Sequence, residues 1–430
     1  MLAQCCSGHC APGGGHRCNR VPDVAYEEVI EPGRLDPIGP LAPSVQMRLR
    51  EISGREMSAG NKIRLLADGV QSYGAMLELV QAAREEIRFE NFILRADALG
   101  SGFAREMRRQ AEHGVRVRLL LDPVGTRLGL PFARHTFRHS RAEVRLYNPP
   151  RPTPGFARFG RDHRKLLVQD GRRLVTGGMG LADIWVGNCV SQCTWRDSAV
   201  LAEGSAVPHV IDEFERMWQR GWRFAGKRQP RQSPVTTARP SVGVGTPVAG
   251  EVPIRIVADE PRARRVERLL IAICEAAERE ILVTNSYVVP PPAVIEALAA
   301  AARRGMDVQL VLPRTSDHPV VDFTAEHLVA PLLRAGVKVW RWTGPMIHAK
   351  TVVVDRLWSL IGSSNLDPYS LWRNAELNLE IHGSAFGEQM AHMFERDRAR
   401  CDAFTLPAWE RRGWARRRLA RVAALAWRWQ

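Results

Sequence analysis

Hydrophobic residues recur at helical spacing in two separate segments, and each segment leads into a short apolar run. The first is AMLELVQAAREEI (75–87), followed by RFENFIL (88–94), and the second is VERLLIAICEAAEREI (266–281), followed by LVTNSYVV (282–289). Helical periodicity that gives way to a short apolar run is typical of a helix followed by a buried strand. We therefore predict a helix–strand unit in both places.

The same order of elements continues after each unit. FAREMRRQAEHGVRVRLLLD (103–122) and VIEALAAAARRGMDVQLVLP (294–313) have helical spacing up to a glycine and then a run of buried-strand character. A third strand is predicted at EVRLYNP (143–149) and at VKVWRW (337–342). This shared order predicts an internal duplication with a period of roughly 190 residues.

Composition between the two copies indicates a domain boundary. Residues 225–250 are rich in Pro, Gly, Ser and Thr with little apolar periodicity, which predicts a linker. We therefore predict an N-terminal extension (1–57), a first domain (58–224), a second domain (251–400) and a C-terminal tail (401–430). Strands that alternate with helices favour an α/β fold, in which each domain has a central mixed sheet covered by helices on both faces.

The chain is strongly basic, since 61 Lys and Arg residues against 46 Asp and Glu residues give a formal net charge of +15. Such a charge suits a polyanionic partner, either nucleic acid or an anionic membrane surface, and charge alone does not choose between them. The sequence has no uncharged apolar run of about 18 residues and no apolar segment typical of a secretory signal. We expect a cytoplasmic location and any membrane contact to be peripheral.

Cysteine and histidine residues crowd the first twenty positions, at Cys5, Cys6, His9, Cys10, His16 and Cys18. A structural zinc site would require paired CxxC-type spacing, which this segment lacks. We therefore predict no metal site there and expect a Gly-rich, disordered start.

Two short segments share a much rarer pattern. DHRKLLVQD (162–170) and IHAKTVVVD (347–355) each place a lysine two residues after a histidine and an aspartate five residues further on, in a chain with five lysines and 56 arginines. The candidate catalytic residues are His163, Lys165, Asp170, His348, Lys350 and Asp355. A glycine follows at the same offset in both copies, Gly177 and Gly362, so the match is too regular to be coincidence.

Strand geometry explains the first part of the spacing, because side chains at positions i and i+2 point to the same face. Each histidine therefore shares a pocket with its lysine, whose compact charge can approach a single phosphate oxygen. The aspartate could accept a hydrogen bond from an imidazole of its own or of the other copy and so fix the tautomer. A single His-Lys pair would more simply be a solvated strand edge, whereas the doubled pattern indicates phosphodiester chemistry.

The paired HxKxxxxD pattern, together with GSSN (362–365), resembles the phospholipase D superfamily over nearly all of residues 58–400. Within that superfamily, GSSNLDPYSLWRNAELNLEI (362–381) and NKIRLLADGVQSYGAML (61–77) are similar to bacterial cardiolipin synthases, most of all the type without transmembrane helices. The resemblance implies two duplicated domains related by a pseudo-twofold axis, with one active site at their interface. It implies no metal ion and no cofactor.

A two-step transfer is what the resemblance implies for the chemistry. His163 would attack phosphorus and form a phosphohistidine, while His348 would protonate the departing alcohol oxygen. The two lysines, with Ser363 and Asn365 as hydrogen-bond donors, would stabilise charge on the phosphate oxygens. Asp197 and Glu376 would support the histidines, although structural ion pairing accounts for these two acids equally well.

The sequence departs from the family pattern at Gly180. The first copy reads GGMG (177–180) where the family pattern has an asparagine at the last position. The first copy therefore lacks one side-chain donor to the phosphate, which would slow catalysis or alter headgroup preference.

The resemblance favours a phosphatidyltransferase of membrane lipid synthesis, which makes cardiolipin and glycerol from two molecules of phosphatidylglycerol. The alternatives are a phospholipase D that transfers the phosphatidyl group to water, a nuclease or other phosphodiesterase acting on nucleic acid, and an inactive scaffold. No aromatic-basic motif typical of single-strand or RNA binding occurs, so we expect no nucleic-acid partner. The expected partner is anionic phospholipid at the cytoplasmic side of the cell membrane.

The C-terminal tail has the profile of an interfacial helix. WERRGWARRRLARVAALAWRWQ (409–430) is basic and Trp-rich, and apolar residues recur in it at helical spacing. Arginines would meet anionic headgroups while Trp and Leu enter the acyl boundary. A helix packed on the body of the protein is the alternative.

Overall fold

A computed structural model describes residues 39–149, 160–187, 194–225, 252–414 and 418–422. The predicted Cys-rich start and nearly all of the predicted linker lie outside these residues. Among them, the helices are α1 Pro43–Ser53, α2 Gly69–Ala82, α3 Ala98–Glu112, α4 Leu130–Phe137, α5 Val207–Arg220, α6 Arg265–Ala276, α7 Pro292–Arg303, α8 Pro319–Arg334, α9 Pro368–Trp372, α10 Ser384–Arg398 and α11 Leu406–Glu410.

The strands of the described residues fall into two sets, one before and one after residue 252. The first set is β1 Ser58–Leu66, β2 Glu86–Asn91, β3 Arg116–Leu121, β4 Glu143–Leu146, β5 Lys165–Gln169, β6 Arg173–Gly177, β7 Ala199–Gly204 and β8 Trp222–Ala225. The second set is β9 Val252–Asp259, β10 Glu280–Thr284, β11 Asp307–Pro313, β12 Lys338–Trp342, β13 Thr351–Val354, β14 Trp358–Gly362, β15 Glu376–His382 and β16 Cys401–Phe404. We call the two parts of the chain that contain these sets the first and second halves.

Strand order repeats between the halves. From the junction outward, the first half runs β1-β7-β6-β5-β2-β3-β4-β8 and the second runs β9-β15-β14-β13-β10-β11-β12-β16. Antiparallel pairing of β1 with β9 joins them into one sheet, whereas we had expected a separate sheet in each half. The predicted α/β fold, with a mixed sheet flanked by helices, is confirmed.

Helices cover the sheet in three groups, each with its own apolar core. Helices α2, α3 and α4 pack on the first half, and α1, α6, α7 and α8 pack on the second. Helices α5 and α10 contribute to a third core that also includes strand residues of both halves, among them Leu166 and Leu377. Because burial of apolar surface stabilises association, this shared core holds the halves against each other.

Some predicted boundaries differ from the structure. Strands β2 and β10 begin at Glu86 and Glu280, two residues before the predicted starts. Strand β16 pairs with β12, so the sheet extends beyond residue 400, where we had placed the start of the tail. A local sequence pattern does not predict this pairing, because β12, the partner of β16, lies about 60 residues earlier in the chain.

The early strand starts have a common cause in Asp170 and Asp355, which follow β5 and β13. The Asp170 carboxylate accepts the backbone N–H groups of residues 84–86 at 2.8–3.2 Å. The Asp355 carboxylate accepts those of residues 278–280 at 2.7–2.9 Å. Both aspartates have left-handed backbone conformations, with φ of +50° and +54°, which Asp tolerates better than most residues. Each carboxylate thereby fixes the point where a helix ends and the next strand begins.

Large apolar side chains are also exposed at several points of the described surface. They are Met47, Val70, Val124, Leu128, Trp222, Val320, Trp414, Leu419 and Val422. None of the helices in the described part of the chain is long and apolar enough to cross a lipid bilayer.

We predict that Asp355→Ala lowers the free energy of unfolding by about 2–4 kcal/mol, because three backbone N–H groups lose their charged acceptor. Asp355→Asn should lose less, since one carbonyl oxygen remains. Urea unfolding followed by circular dichroism measures both variants, with Asp212→Ala on the exposed face of α5 as the control. A wild-type midpoint for Asp355→Ala would contradict the anchoring role.

Candidate active site

The two His-Lys segments lie side by side where the halves meet. Lys165 is the first residue of β5 and pairs with Asn91 at the end of β2, so His163 and Lys165 lie at the carboxyl edge of the parallel strands. In the second half, Lys350 directly precedes β13, whose first residue pairs with the last residue of β10. The duplicated pattern therefore occupies equivalent places in the two halves.

Backbone hydrogen bonds link each segment to the opposite half. The His163 N–H donates to the carbonyl oxygen of Ala375 at 2.9 Å, and the His348 N–H donates to that of Arg196 at 2.6 Å. Isolated bridges pair Asp162 with Ala375 and Arg196 with Ile347. The same contact thus occurs twice with the halves exchanged, as a pseudo-twofold axis requires.

Each imidazole is hydrogen-bonded to a carboxylate of the other half. Nδ1 of His163 lies 3.0 and 3.1 Å from the two carboxylate oxygens of Glu376, the first residue of β15. Nδ1 of His348 lies 2.6 Å from Oδ2 of Asp197, two residues before β7. Both carboxylates are buried. Because Nδ1 faces the carboxylate, Nε2 is the ring nitrogen that can meet a substrate, and in His348 it also lies 3.0 Å from Nζ of Lys350.

Asp170 and Asp355 are absent from this cluster. They lie at the far ends of β5 and β13, where they accept the backbone N–H groups already described. The prediction that these aspartates fix the imidazole tautomers is therefore wrong. A five-residue strand spans roughly 16 Å, which carries the aspartate far from the histidine that precedes it.

Ser363 and Asn365 lie in the pocket but already have partners. The Ser363 hydroxyl donates to a carboxylate oxygen of Glu376, and it accepts the N–H of Leu377 at 3.0 Å. The Asn365 side-chain oxygen accepts the Ser286 hydroxyl at 2.7 Å. Ser363 therefore orients the carboxylate that holds His163, a different contact from the phosphate contact that we had expected.

Both lysines are buried beside the histidines, and each Nζ donates to the carbonyl oxygen of the histidine before it. Burial lowers the pKa of Lys165 to about 8 and the pKa of Lys350 to about 7, while the nearby carboxylates of Glu376 and Asp197 act in the opposite direction. Such lysines can lose their charge within the physiological pH range.

The histidines are neutral at pH 7 in this environment. Burial lowers the pKa of His163, and burial together with the charge of Lys350 lowers the pKa of His348 to about 4. Burial alone would raise the pKa of Glu376, but the nearby His163 and Lys165 hold it below its usual value. The site therefore combines ionised carboxylate and neutral imidazole in a buried pocket, where the four His and Lys residues are 4–8% exposed.

The two halves of the pocket differ at equivalent positions. The bridges Leu94–Leu181 and Val288–Leu366 align the halves, so Gly178 corresponds to Ser363 and Gly180 to Asn365. A Cβ atom at position 178 would lie 2.4 Å from a carboxylate oxygen of Asp197. The first half therefore has no room for the hydroxyl that the second half uses.

Trp185 fills the space that an asparagine at position 180 would need. A Cβ atom at Gly180 would lie 2.8 Å from Cζ3 of the Trp185 ring and 2.9 Å from Cβ of Ile93. The Trp185 ring is 1% exposed, and its centroid lies 5.5 Å from that of His348. The Trp185 ring therefore occupies the place in the first half that the Asn365 side chain occupies in the second.

Four aromatic residues that the sequence gave no reason to select surround the histidines. Phe92 lies 5.0 Å from His163 between ring centroids. Trp185, Trp195 and Tyr287 lie 5.5, 5.5 and 6.0 Å from His348. Trp195 stands two residues before Asp197, but no equivalent of it recurs in the second copy, so the repeat did not reveal it.

A buried charge cluster lies behind His163. Burial raises the pKa of Asp162 to about 7 and raises that of Glu90 well above its usual value. Arg164 lies among these acids and donates to the carbonyl oxygens of Glu213 and Asp259, which belong to different halves. The second half has Thr284, Ile347 and Ala349 at the positions equivalent to Glu90, Asp162 and Arg164, so the cluster occurs on one side of the pocket.

We predict that Gly180→Asn destabilises the protein by about 1–3 kcal/mol, because the added side chain must displace the Trp185 ring. A change in tryptophan fluorescence should accompany the lower urea midpoint. Gly180→Asn combined with Trp185→Ala should recover part of the loss, and Gly74→Asn, where a Cβ atom meets nothing within 4 Å, serves as the control. Equal losses in the single and double variants would contradict this packing.

Comparisons with known proteins agree with this geometry. The family model described as "Cardiolipin synthase, PLD-like domain" matches residues 270–398. Cardiolipin synthase B of Salmonella typhi is 31% identical over 350 residues, which cover 77% of this chain and 79% of that protein. Cardiolipin synthase A of Pseudomonas entomophila is 30% identical over 342 residues, which cover 79% of this chain and 69% of that protein.

A solved structure shares the fold at much lower identity. The crystal structure of phosphatidylserine synthase from Haemophilus influenzae superposes with a TM-score of 0.67 and 12% identity, over 89% of this chain and 98% of that chain. The reciprocal His–carboxylate pairs, the duplicated sheet and the extent of these matches lead to one assignment. The chain belongs to the cardiolipin synthase family of phospholipase D-like proteins.

Proposed function

We propose that the protein is a phosphatidyltransferase that forms cardiolipin and glycerol from two molecules of phosphatidylglycerol. The observation that carries this proposal is the reciprocal pairing of two neutral histidines with carboxylates of the opposite half, beside two lysines. Such a pocket offers two imidazoles to one phosphate, which in-line displacement of one alcohol and its replacement by another requires. The relatives' names supply the identity of the product, cardiolipin.

In the first step, Nε2 of His163 attacks phosphorus and the bond from phosphorus to the glycerol headgroup oxygen breaks. His348 gives its proton to that oxygen, so glycerol leaves as a neutral alcohol. Burial and the charge of Lys350 lower the pKa of His348 to about 4, and a phosphodiester anion beside the ring raises it, because negative charge near an imidazole favours the protonated form. Glu376 stabilises the positive charge that develops on His163.

In the second step, a hydroxyl group of another phosphatidylglycerol attacks the phosphohistidine. His348 accepts the hydroxyl proton, the phosphorus–nitrogen bond breaks and His163 returns to its neutral state. The ammonium groups of Lys165 and Lys350 stabilise the phosphate oxygens in both steps. The burial of the four His and Lys residues favours an alcohol from the lipid phase over water as the acceptor.

We also propose a peripheral location on the cytoplasmic side of the cell membrane. Trp414, Leu419 and Val422, at the described end of the predicted tail, are 69%, 55% and 61% exposed. Together with the neighbouring arginines, they have the composition of an interfacial segment. This part of the proposal concerns the tail and is independent of the chemistry.

His163→Ala and His348→Ala should each reduce cardiolipin formation by at least roughly 10²–10⁴-fold, because neither imidazole can perform the other's task. Purified protein with phosphatidylglycerol in mixed detergent micelles, followed by thin-layer chromatography, measures cardiolipin and phosphatidic acid. His113→Ala, an exposed histidine that follows α3, is the control. Phosphatidic acid as the sole product would favour a hydrolase, and cleavage of single-stranded DNA would favour a nuclease.

A diester with a p-nitrophenol leaving group separates the roles of the two histidines. Its departure needs little help from an acid, so His348→Ala should still form the phosphohistidine and release p-nitrophenol, whereas His163→Ala should not. Acid-labile radiolabel retained on the protein reports the intermediate. The reverse pattern would exchange the two roles.

The affinity of the pocket for anions should fall as the pH rises through the lysine pKa values of about 7 and about 8. Both lysines are charged below these values and lose their charge above them, so positive charge is present at low pH. Sulfate remains divalent over this range, and its inhibition constant should increase from about pH 6 to about pH 9. Lys350→Gln should bind sulfate more weakly with a shallower pH dependence, and a constant value in the wild type would contradict this.

A further inference from the structure

Two loops at the catalytic edge present exposed apolar side chains. The loop after β3 carries Val124 and Leu128, which are 46% and 81% exposed. Val320, 56% exposed, lies in the first turn of α8, directly after the equivalent loop that follows β11. Because β2 and β3 are parallel, as are β10 and β11, both loops lie at the sheet edges from which the histidines project. We call these three side chains the apolar rim.

The first loop is attached to the aromatic residue beside His163. The Thr126 hydroxyl donates to the carbonyl oxygen of Phe92 at 3.0 Å, and a Cβ atom at Gly125 would lie 2.7 Å from the Phe92 ring. The Phe92 ring in turn lies 5.0 Å from the ring of His163. A single aromatic side chain therefore separates the exposed loop from the pocket.

The second loop makes the corresponding contact beside His348. The Tyr287 hydroxyl donates to Oδ1 of Asp317 at 2.6 Å, and the Tyr287 ring lies 5.5 Å from the ring of His318. The same Tyr287 ring lies 6.0 Å from the ring of His348. The apolar rim thus borders the pocket from both halves.

Charge on the first half's side of the rim favours an anionic partner. Arg95 and Arg127 are exposed on the first half's edge. Of the acids in these loops, Asp122 is buried and accepts the N–H groups of Val124 and Gly125. The Asp317 side chain is 41% exposed and accepts the neutral Tyr287 hydroxyl. Asp322 accepts the N–H of Ser316, while Arg314 is paired with Asp402. Exposed apolar side chains flanked by exposed cationic groups have the composition of a surface that binds anionic lipid.

We propose that the apolar rim inserts into the interface of an anionic phospholipid bilayer, with Arg95 and Arg127 at headgroup level. This inference rests on the proposed function, because a lipid substrate explains why apolar surface borders a phosphate pocket. Docked in this way, the protein can take up a headgroup phosphate while the acyl chains stay in the membrane. The rim is separate from the C-terminal tail, which every variant below retains, so a change in vesicle binding between variants reports on the rim.

The test compares Leu128→Glu/Val320→Glu with the wild type in the full-length protein. Sedimentation with phosphatidylglycerol vesicles should show a loss of affinity of about tenfold or more, because apolar burial is lost and like charges repel. Turnover of phosphatidylglycerol in mixed detergent micelles should be retained, since neither residue contacts the histidines. Leu128→Gln/Val320→Gln isolates the loss of apolar burial and should also weaken binding.

Met47→Glu is the matched control, because Met47 is 59% exposed on α1, next to the Arg48–Glu275 ion pair at the far end of α6. Wild-type vesicle binding by both double variants would overturn the proposal, as would an equal loss in Met47→Glu. An altered oligomeric mass with unchanged vesicle binding would assign the rim to a second copy of the chain and overturn it too. If the wild type makes no cardiolipin in micelles, the proposed function fails, while the sedimentation result still decides whether the rim binds lipid.

Discussion

The hydrogen bond from each imidazole to a carboxylate of the opposite half is the constraint on which the site depends. His163 belongs to the strand system that begins with β1, and Glu376 to the one that begins with β9. The bond can form only when the halves meet in one register, which the pairing of residues 162 and 375 and of residues 196 and 347 fixes. Either half folded alone would lack the hydrogen-bond partner of its imidazole and of its carboxylate, and these polar groups can be buried only when they are paired. Assembly of the fold and assembly of the site are therefore one event.

Local patterns in the sequence predicted the repeated elements well, because helical periodicity, a terminating glycine and a buried strand are all encoded within about 20 residues. They also identified His163, Lys165, His348 and Lys350 through the doubled spacing, although both histidines and Lys350 precede the strands β5 and β13. The sequence contained no comparable signal for the roles of Asp170 and Asp355. Their partners are backbone N–H groups 75 to 86 residues away, and backbone groups have no residue type to recognise.

The partners of the histidines show the same limit. Glu376 and Asp197 could be selected as acids at matching places in the repeat, but spacing could not distinguish hydrogen bonding to an imidazole from structural ion pairing. Register between strands separated by 213 and 151 residues decides that question. The repeat could not identify the aromatic residues Phe92, Trp185 and Tyr287, because the two copies have different residues at these positions.

Those differences have an evolutionary meaning. Where the second half pairs Ser286 with Asn365, the first half has Phe92 and Gly180 at the matching positions. In a homodimer every substitution would appear on both sides of the twofold axis, so the two walls of the pocket could not differ from each other. Because both copies lie in one polypeptide, mutation can reshape one wall and spare the other. Duplication within one chain therefore frees the site from the symmetry of a homodimer, so that the surroundings of His163 can suit nucleophilic attack while those of His348 suit the departing and the incoming alcohol.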